Sequence, residues 1–223
     1  MEKYSWPDPV SQSALPIAKP GYSFIGAAAF TTFVFALLGL VVLALLGLVI
    51  TFFIVYFFRD PDRVIQTRDG LVVSPADGKV VFAGMVENST HYEGTCLKLS
   101  VFMSVFNVHV NRMPCGGEVK KIVYNPGKFF NANLDKASKE NEQNAIYLET
   151  EDGRNICTVQ IAGLIARRII CKVQKGDAVN RGQRFGMICF GSRLDVYLPK
   201  ESKLKVAVGD IVKAGTTVLG DLA

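Results

Sequence analysis

Between Phe24 and Phe58 the sequence contains no Asp, Glu, Lys, Arg, His, Asn or Gln, a run of 35 residues broken only by the hydroxyls of Thr31, Thr32, Thr51 and Tyr56. Roughly 18 such residues already argue a membrane segment. A signal peptide has a shorter apolar core and a small-residue cleavage site, and neither feature is present. As one helix the run would be about 52 Å long, against about 30 Å of hydrocarbon. Gly39 and Gly47 fall within it, so a single helix and a hairpin of two slightly short helices both fit. A hairpin turn must lie near an interface or under protein, because lipid cannot satisfy bare backbone groups. Lys19 on one flank, and Arg59 and Arg63 on the other, favour a hairpin with both ends cytoplasmic.

Other absences narrow the function. The five cysteines, Cys96, Cys115, Cys157, Cys171 and Cys189, are odd in number and never spaced C-x-x-C. Neither a disulfide framework nor a metal site follows, and they read as small core residues in a reducing compartment. The net charge of +5 gathers into no basic stripe with aromatics, so nucleic acid is excluded as a partner while anionic headgroups are favoured. No Gly-x-Ser-x-Gly occurs, which removes the usual elbow of a serine hydrolase.

What is present has three textures. Residues 1–23 form an irregular lead-in with Pro7, Pro9, Pro16 and Pro20, residues 24–58 the apolar segment, and residues 59–223 a domain of short apolar alternations punctuated by glycine. No sustained 3.6-residue period appears after Gly70, so the last part is mainly β. Gly176-Asp177-Ala178-Val179 and Gly209-Asp210-Ile211-Val212 repeat the phrase Gly-Asp-x-Val, each with a further glycine at Gly182 and Gly215. Asp and Gly supply tight turns that the valine anchors to a core. The phrase is shared with lipoyl and biotinyl carrier domains, and Ser74-Pro75-Ala76-Asp77-Gly78 looks like a third such turn. A β-sandwich or β-barrel hybrid with lipoyl/biotinyl-like hairpins is predicted, preceded by the N-terminal hydrophobic membrane helix or hairpin. The polar stretch Asn133 to Asn144 reads as a solvated loop or a lid.

Three residues could carry chemistry. Ser192 follows Gly191 at a turn between two apolar runs, 32 residues from the C-terminus counting itself. His109, in Asn107-Val108-His109-Val110-Asn111, falls on the polar face of an alternating strand, as a base or as a structural histidine. Asp77 is either a turn aspartate or the orienting group of a nucleophile–base–orienter set. His91 reads as an exposed loop residue. Of Arg167 and Arg168, one could reach a phosphate, or both could keep a strand edge charged. These features also allow a membrane-anchored binding module of biotinyl or efflux-adaptor type, although such a module leaves Gly191-Ser192 and His109 unexplained and an adaptor would need long heptads.

Taken together, Phe58-Arg59-Asp60-Pro61, Ser74-Pro75-Ala76-Asp77-Gly78, Asn107-Val108-His109-Val110-Asn111-Arg112-Met113-Pro114, Asn141-Glu142-Gln143-Asn144 and Phe190-Gly191-Ser192-Arg193 resemble the phosphatidylserine decarboxylase family, in its short bacterial and archaeal branch. The long branch has Leu-Gly-Ser-Thr at the cut, and a second histidine where Arg112 stands. The resemblance implies a proenzyme that cuts itself between Gly191 and Ser192 into a β chain, 1–191, and an α chain, 192–223, which stay associated. It implies that Ser192 attacks the Gly191 carbonyl, with His109 as base and Asp77 holding it, and becomes a pyruvoyl cofactor. That group would form a Schiff base with a phosphatidylserine-type lipid and release carbon dioxide. The implied setting is the cytoplasmic face of the cell membrane, and a homodimer is compatible with it.

Overall fold

The computed structural model describes residues 4–5, 16–130, 132, 140–164, 168–189 and 191–223. They fall into two compact units, Val10–Asp62 and the pair of segments Met1–Pro9 and Arg63–Ala223.

The first unit is a helical hairpin, α1 (Gly21–Leu37) and α2 (Val41–Phe57). Gly39 turns the chain in the left-handed region, φ 69°, a conformation that costs glycine little. The helices touch where a side chain on Gly47 would meet Thr32 Oγ1 at 2.6 Å, and Thr32 and Thr51 hydroxyls lie 3.3 Å apart. Each hydroxyl also donates to a carbonyl one turn back, on Ala28 and Gly47, at 2.8 Å. The open end is closed by backbone bonds from Ala18 N to the Phe58 carbonyl (2.8 Å) and from Asp60 N to that of Pro16 (2.6 Å). Leu37, Val42 and Phe30 are among many apolar side chains exposed around both helices. Among the described residues, no helix is long and apolar enough to cross a membrane; at 17 residues, each helix of this hairpin is about 26 Å long.

The second unit is mainly β. Its strands, in chain order, are β1 (Tyr4–Ser5), β2 (Ile65–Gln66), β3 (Leu71–Val73), β4 (Gly78–Val86), β5 (Cys96–Met103), β6 (Val110–Arg112), β7 (Gly117–Asn125) and β8 (Gln143–Glu149). There follow β9 (Asn155–Ala162), β10 (Ile169–Cys171), β11 (Ala178–Val179), β12 (Arg184–Ile188), β13 (Ser192–Pro199), β14 (Lys203–Leu204), β15 (Ile211–Val212) and β16 (Val218–Asp221). Eight form one antiparallel sheet in the order β11-β7-β8-β9-β13-β5-β4-β15. Two three-stranded sheets, β10-β12-β6 and β14-β16-β3, and the pair β1-β2 complete it. The large sheet curls into a half-barrel where a stacked sandwich was an equal expectation. Register slips at Val80/Phe82 and Val119/Lys121 are the bulges that bend it.

The repeated Gly-Asp-x-Val phrases become the two edge strands of that sheet. β11 pairs with the start of β7 at Gly117 and Glu118, and β15 with the start of β4 at Gly78 and Lys79. The hydrogen bonds match: Val119 N donates to Asp177 O and Val80 N to Asp210 O, both at 2.9 Å. Val179 and Val212 are buried, the anchoring role their place in the turn requires. Both following glycines, Gly182 and Gly215, pack on Ile65, where any Cβ would lie within 2.8 Å of its Cδ1.

Because strand side chains alternate, β13 divides the interior. Ser192, Leu194, Val196 and Leu198 face the main core with Leu99, Val101 and Ile156. Arg193, Asp195 and Tyr197 face the other side, over Cys96, Ala145, Cys157 and Val159. His91 lies on that second face, 6% exposed with its ring 5.6 Å from that of Tyr197. This corrects the reading of His91 as an exposed loop residue: the Asn88–Gly94 turn folds onto a sheet face that the strand pattern alone leaves uncovered. Burial pushes the imidazole below its ordinary pKa of 6.5, against hydrogen bonding to Gln143 and the charge of Asp195. All five cysteines are free thiols, and burial raises that of Cys115 to about 12.

Candidate active site

Ser192 begins β13, the fifth strand of the large sheet, paired on one side with Met103 of β5 and on the other with Ala162 of β9. Its side chain is fully buried, and among the described residues its hydroxyl has no hydrogen-bond partner. An unmet buried hydroxyl costs about 1–3 kcal/mol, and such a group calls for a reason.

The reason lies in the preceding residue. Gly191 sits at φ 69°, so the chain turns sharply into the strand. Its carbonyl oxygen presses on Gly163, where an added Cβ would lie only 2.2 Å from it. Its amide donates to His109 Nε2 at 3.4 Å, a long bond. His109 Nδ1 is 2.9 Å from the Asn107 carbonyl, which can only accept, so Nδ1 carries the hydrogen and Nε2 presents its lone pair toward Gly191. The imidazole is completely buried. An imidazole nitrogen that accepts a hydrogen bond, a carbonyl seated on Gly163 and a hydroxyl with no partner among the described residues thus adjoin one peptide bond.

A polar row supports this corner from the Ser192 side of the sheet. Asn144 Nδ2 donates to Gln160 Oε1 at 3.1 Å, and Gln160 Nε2 to Asn111 Oδ1 at 2.9 Å. Asn141 donates to the carbonyls of Phe130 (2.8 Å) and Ala162 (2.7 Å) and accepts from Phe130 N (2.9 Å). It therefore clamps the 128–130 segment against the end of β9, one residue before Gly163. On the opposite face Asp195 is fully buried between two cations, Arg193 Nε at 2.9 Å and Lys98 Nζ at 3.0 Å. Arg193 also donates to the Ala132 carbonyl at 3.1 Å.

The structure thus brings Gly191, Ser192 and His109 together, and gives Asp77 a different setting. The Asp77 carboxylate accepts from Arg63 at 3.0 Å and from Ala214 N at 2.7 Å, while His109 Nδ1 bonds to the Asn107 carbonyl. Asp77 sits where β15 begins to pair with β4, so the turn reading and a supporting role coincide. Arg112, which stands where the long branch has a second histidine, donates to the Gly182 carbonyl at 2.9 Å and is buried. Arg167 lies outside the described residues, as do 133–139 of the polar loop; Arg168 is exposed. Sequence reading missed Gly163, Gln160 and Asn141 as parts of the site. Gly163 ends an apolar strand and shows no φ that demands glycine, so only its contact with Gly191 reveals it.

Comparison with known proteins gives one consistent answer. Residues 50–220 match the model of the phosphatidylserine decarboxylase family. Over 207 residues the chain is 52% identical to a phosphatidylserine decarboxylase proenzyme of Geotalea uraniireducens, covering 93% of this chain and 97% of the relative. A proenzyme of the same description from Desulfotalea psychrophila is 46% identical over 211 residues, 95% of this chain and 99% of the relative. One from Ruegeria pomeroyi is 50% identical over 214 residues, covering 93% and 95%.

Proposed function

The chain belongs to the phosphatidylserine decarboxylase family, and from that premise we propose that it is a self-cutting proenzyme which decarboxylates a phosphatidylserine-type lipid to the ethanolamine lipid. The observation that carries the reading is the buried Ser192 hydroxyl, without a partner among the described residues, next to a peptide unit whose amide is bonded to His109 Nε2.

In this reading the Ser192 hydroxyl attacks the Gly191 carbonyl as His109 takes its proton, turning the amide into an ester. A serine hydroxyl is a poor nucleophile at neutral pH, so the left-handed turn at Gly191 and its packing on Gly163 supply rate by fixing geometry. Loss of the Ser192 α-proton then expels Gly191 as a carboxylate, and hydrolysis of the remaining enamine releases ammonia and leaves a pyruvoyl group. The unpaired hydroxyl fits that origin. Once formed, the group supplies an electron sink for the substrate's carboxylate electrons. The buried imidazole of His109 stays beside it to hold or return a proton. Asp77 serves as a positioning residue, holding Arg63 and the Ala214 loop where β4 begins.

Support for lasting association of the two pieces comes from topology, since β13 to β16 all lie after the cut and β13 has partners on both sides. The exposed apolar helical hairpin, closed at one end beside Lys19 and Arg59, suits insertion from the cytoplasmic face of a membrane. The test is intact mass and a denaturing gel. Mature protein should separate into pieces of 191 and 32 residues, the smaller blocked to Edman sequencing. Ser192→Ala should remain one inactive chain. A small piece beginning with a free serine amine would refute the pyruvoyl route.

A further inference from the structure

Three loops of the β unit end at the same corner of the large sheet and carry large apolar side chains outward. Phe106 is 63% exposed and Leu164 64%. Phe106 sits in the Ser104–Asn107 turn, closed by Asn107 N to the Ser104 carbonyl at 3.0 Å, directly after Met103, the β5 partner of Ser192. Leu164 follows Gly163, on which the Gly191 carbonyl rests. Phe129, 37% exposed, precedes the residue that Asn141 ties to Ala162, the β9 partner of Ser192. An exposed arginine, Arg168, is tied to the chain just before Gly191, its carbonyl accepting Cys189 N at 3.3 Å.

We propose that Phe106, Leu164 and Phe129, with Arg168, form a second membrane contact, which docks the mouth of the site onto a bilayer bearing anionic headgroups. The proposal rests on the reading that the substrate is a membrane lipid, and it adds a surface that is independent of the helical hairpin. Ser192 is fully buried, so a headgroup whose chains stay in the bilayer can reach it only if the bilayer surface comes to the corner where β13 begins. Isolated exposed apolar residues need no explanation, but three from separate loops around one reactive bond do. A cation among them matches the negative surface of a phosphatidylserine-bearing leaflet.

The test uses the full chain. Phe106→Ser/Leu164→Ser should cut itself at the normal rate and turn over dihexanoyl phosphatidylserine, held below its micellar concentration, as wild type does. On vesicles of phosphatidylcholine and phosphatidylserine its turnover should drop at least tenfold, because burying each such side chain shifts a partition equilibrium by roughly that factor or more. Leu164→Trp in a Trp6→Phe background should keep vesicle turnover, shift its emission to the blue on vesicles and be quenched by brominated lipid. Undiminished vesicle turnover in the double variant, an equal loss on the short-chain substrate, or no quenching of the tryptophan each overturns the proposal. If wild type decarboxylates neither substrate, the functional reading itself fails, and the quenching still reports whether this corner docks.

Discussion

Replacing Gly163 by alanine adds one methyl group where the reacting carbonyl rests. The new Cβ would lie 2.2 Å from the Gly191 oxygen and 3.4 Å from Ala132 Cβ. Ordinary contact requires more than an ångström of extra room at the oxygen, and no flexible side chain is there to yield. Backbone must move, either Gly191 away from Ser192 or the end of β9 away from β13. A misplacement of about 1 Å at a reacting centre costs on the order of 10²-fold in rate, so self-cutting of Gly163→Ala should slow by about that factor. Overpacking should also destabilise by about 1–3 kcal/mol, lowering the melting temperature by several degrees. Gly153→Ala is the control: Gly153 turns the exposed β8–β9 hairpin at φ 78° with open space around it. It should lose about 1 kcal/mol through backbone strain and cut normally. The assay is the fraction of cut chain against time on a denaturing gel, with melts of both variants in an uncut Ser192→Ala background. If Gly163→Ala is destabilised yet cuts within twofold of wild type, or cuts faster, the carbonyl's seat on Gly163 does not set the reacting geometry.

His109→Ala should accumulate full-length chain, its cutting slowed by about 10²–10⁴-fold; normal maturation would move the base to another group. Asp77→Ala leaves the Arg63 guanidinium and the Ala214 amide without their acceptor, so it should lower stability by a few kcal/mol and slow cutting in proportion. A cutting defect at full stability would return Asp77 to a direct orienting role. The His91 ring is held neutral by burial, below its ordinary pKa of 6.5, so the unfolded chain takes up a proton at a pH where the folded one does not. Stability should therefore be highest above about pH 7 and fall as the pH drops through 6.5. Melting curves between pH 7.5 and 5.5 should show a flatter profile for His91→Gln, and identical slopes would show that His91 does not control this window.

Legibility followed locality. The Gly-Asp-x-Val phrases were readable because a tight turn and its anchoring valine are properties of a few consecutive residues, and both became edge strands of one sheet. The hairpin was one of two readings of the apolar run, and Gly39 is where the helices part. Which strands neighbour which was not readable. β13 pairs with β5 and β9, partners distant in sequence, and that choice alone seats Gly163 under Gly191 and Asn141 beside Ala162. The same limit explains Asp77 and His91. The loop histidine His91 looks exposed to a reader of neighbours and is buried against Tyr197 of β13, while the turn aspartate Asp77 meets Arg63 and the distant Ala214. Gly191, Ser192 and His109 were legible as residue types, yet the group that orients the imidazole is a backbone carbonyl, and carbonyls leave no trace in a sequence.

The two sides of the Gly191–Ser192 bond are held in different ways. Downstream, Ser192 enters a strand bonded on both edges, and Arg193 is locked within two residues to Asp195 and to the Ala132 carbonyl. Taking Asp195 away would leave the buried Arg193 guanidinium without its counter-charge, at a cost of about 3–5 kcal/mol, so the new N-terminus has strong reason to stay in register. Upstream, Gly191 stands in a left-handed turn with nothing within 4 Å of the position a side chain would take; its carbonyl packs on Gly163 and its amide makes a long bond to His109. Cutting between them leaves Ser192 at the head of a strand paired on both edges. The group made from Ser192 would therefore remain at the corner where the buried imidazole already lies.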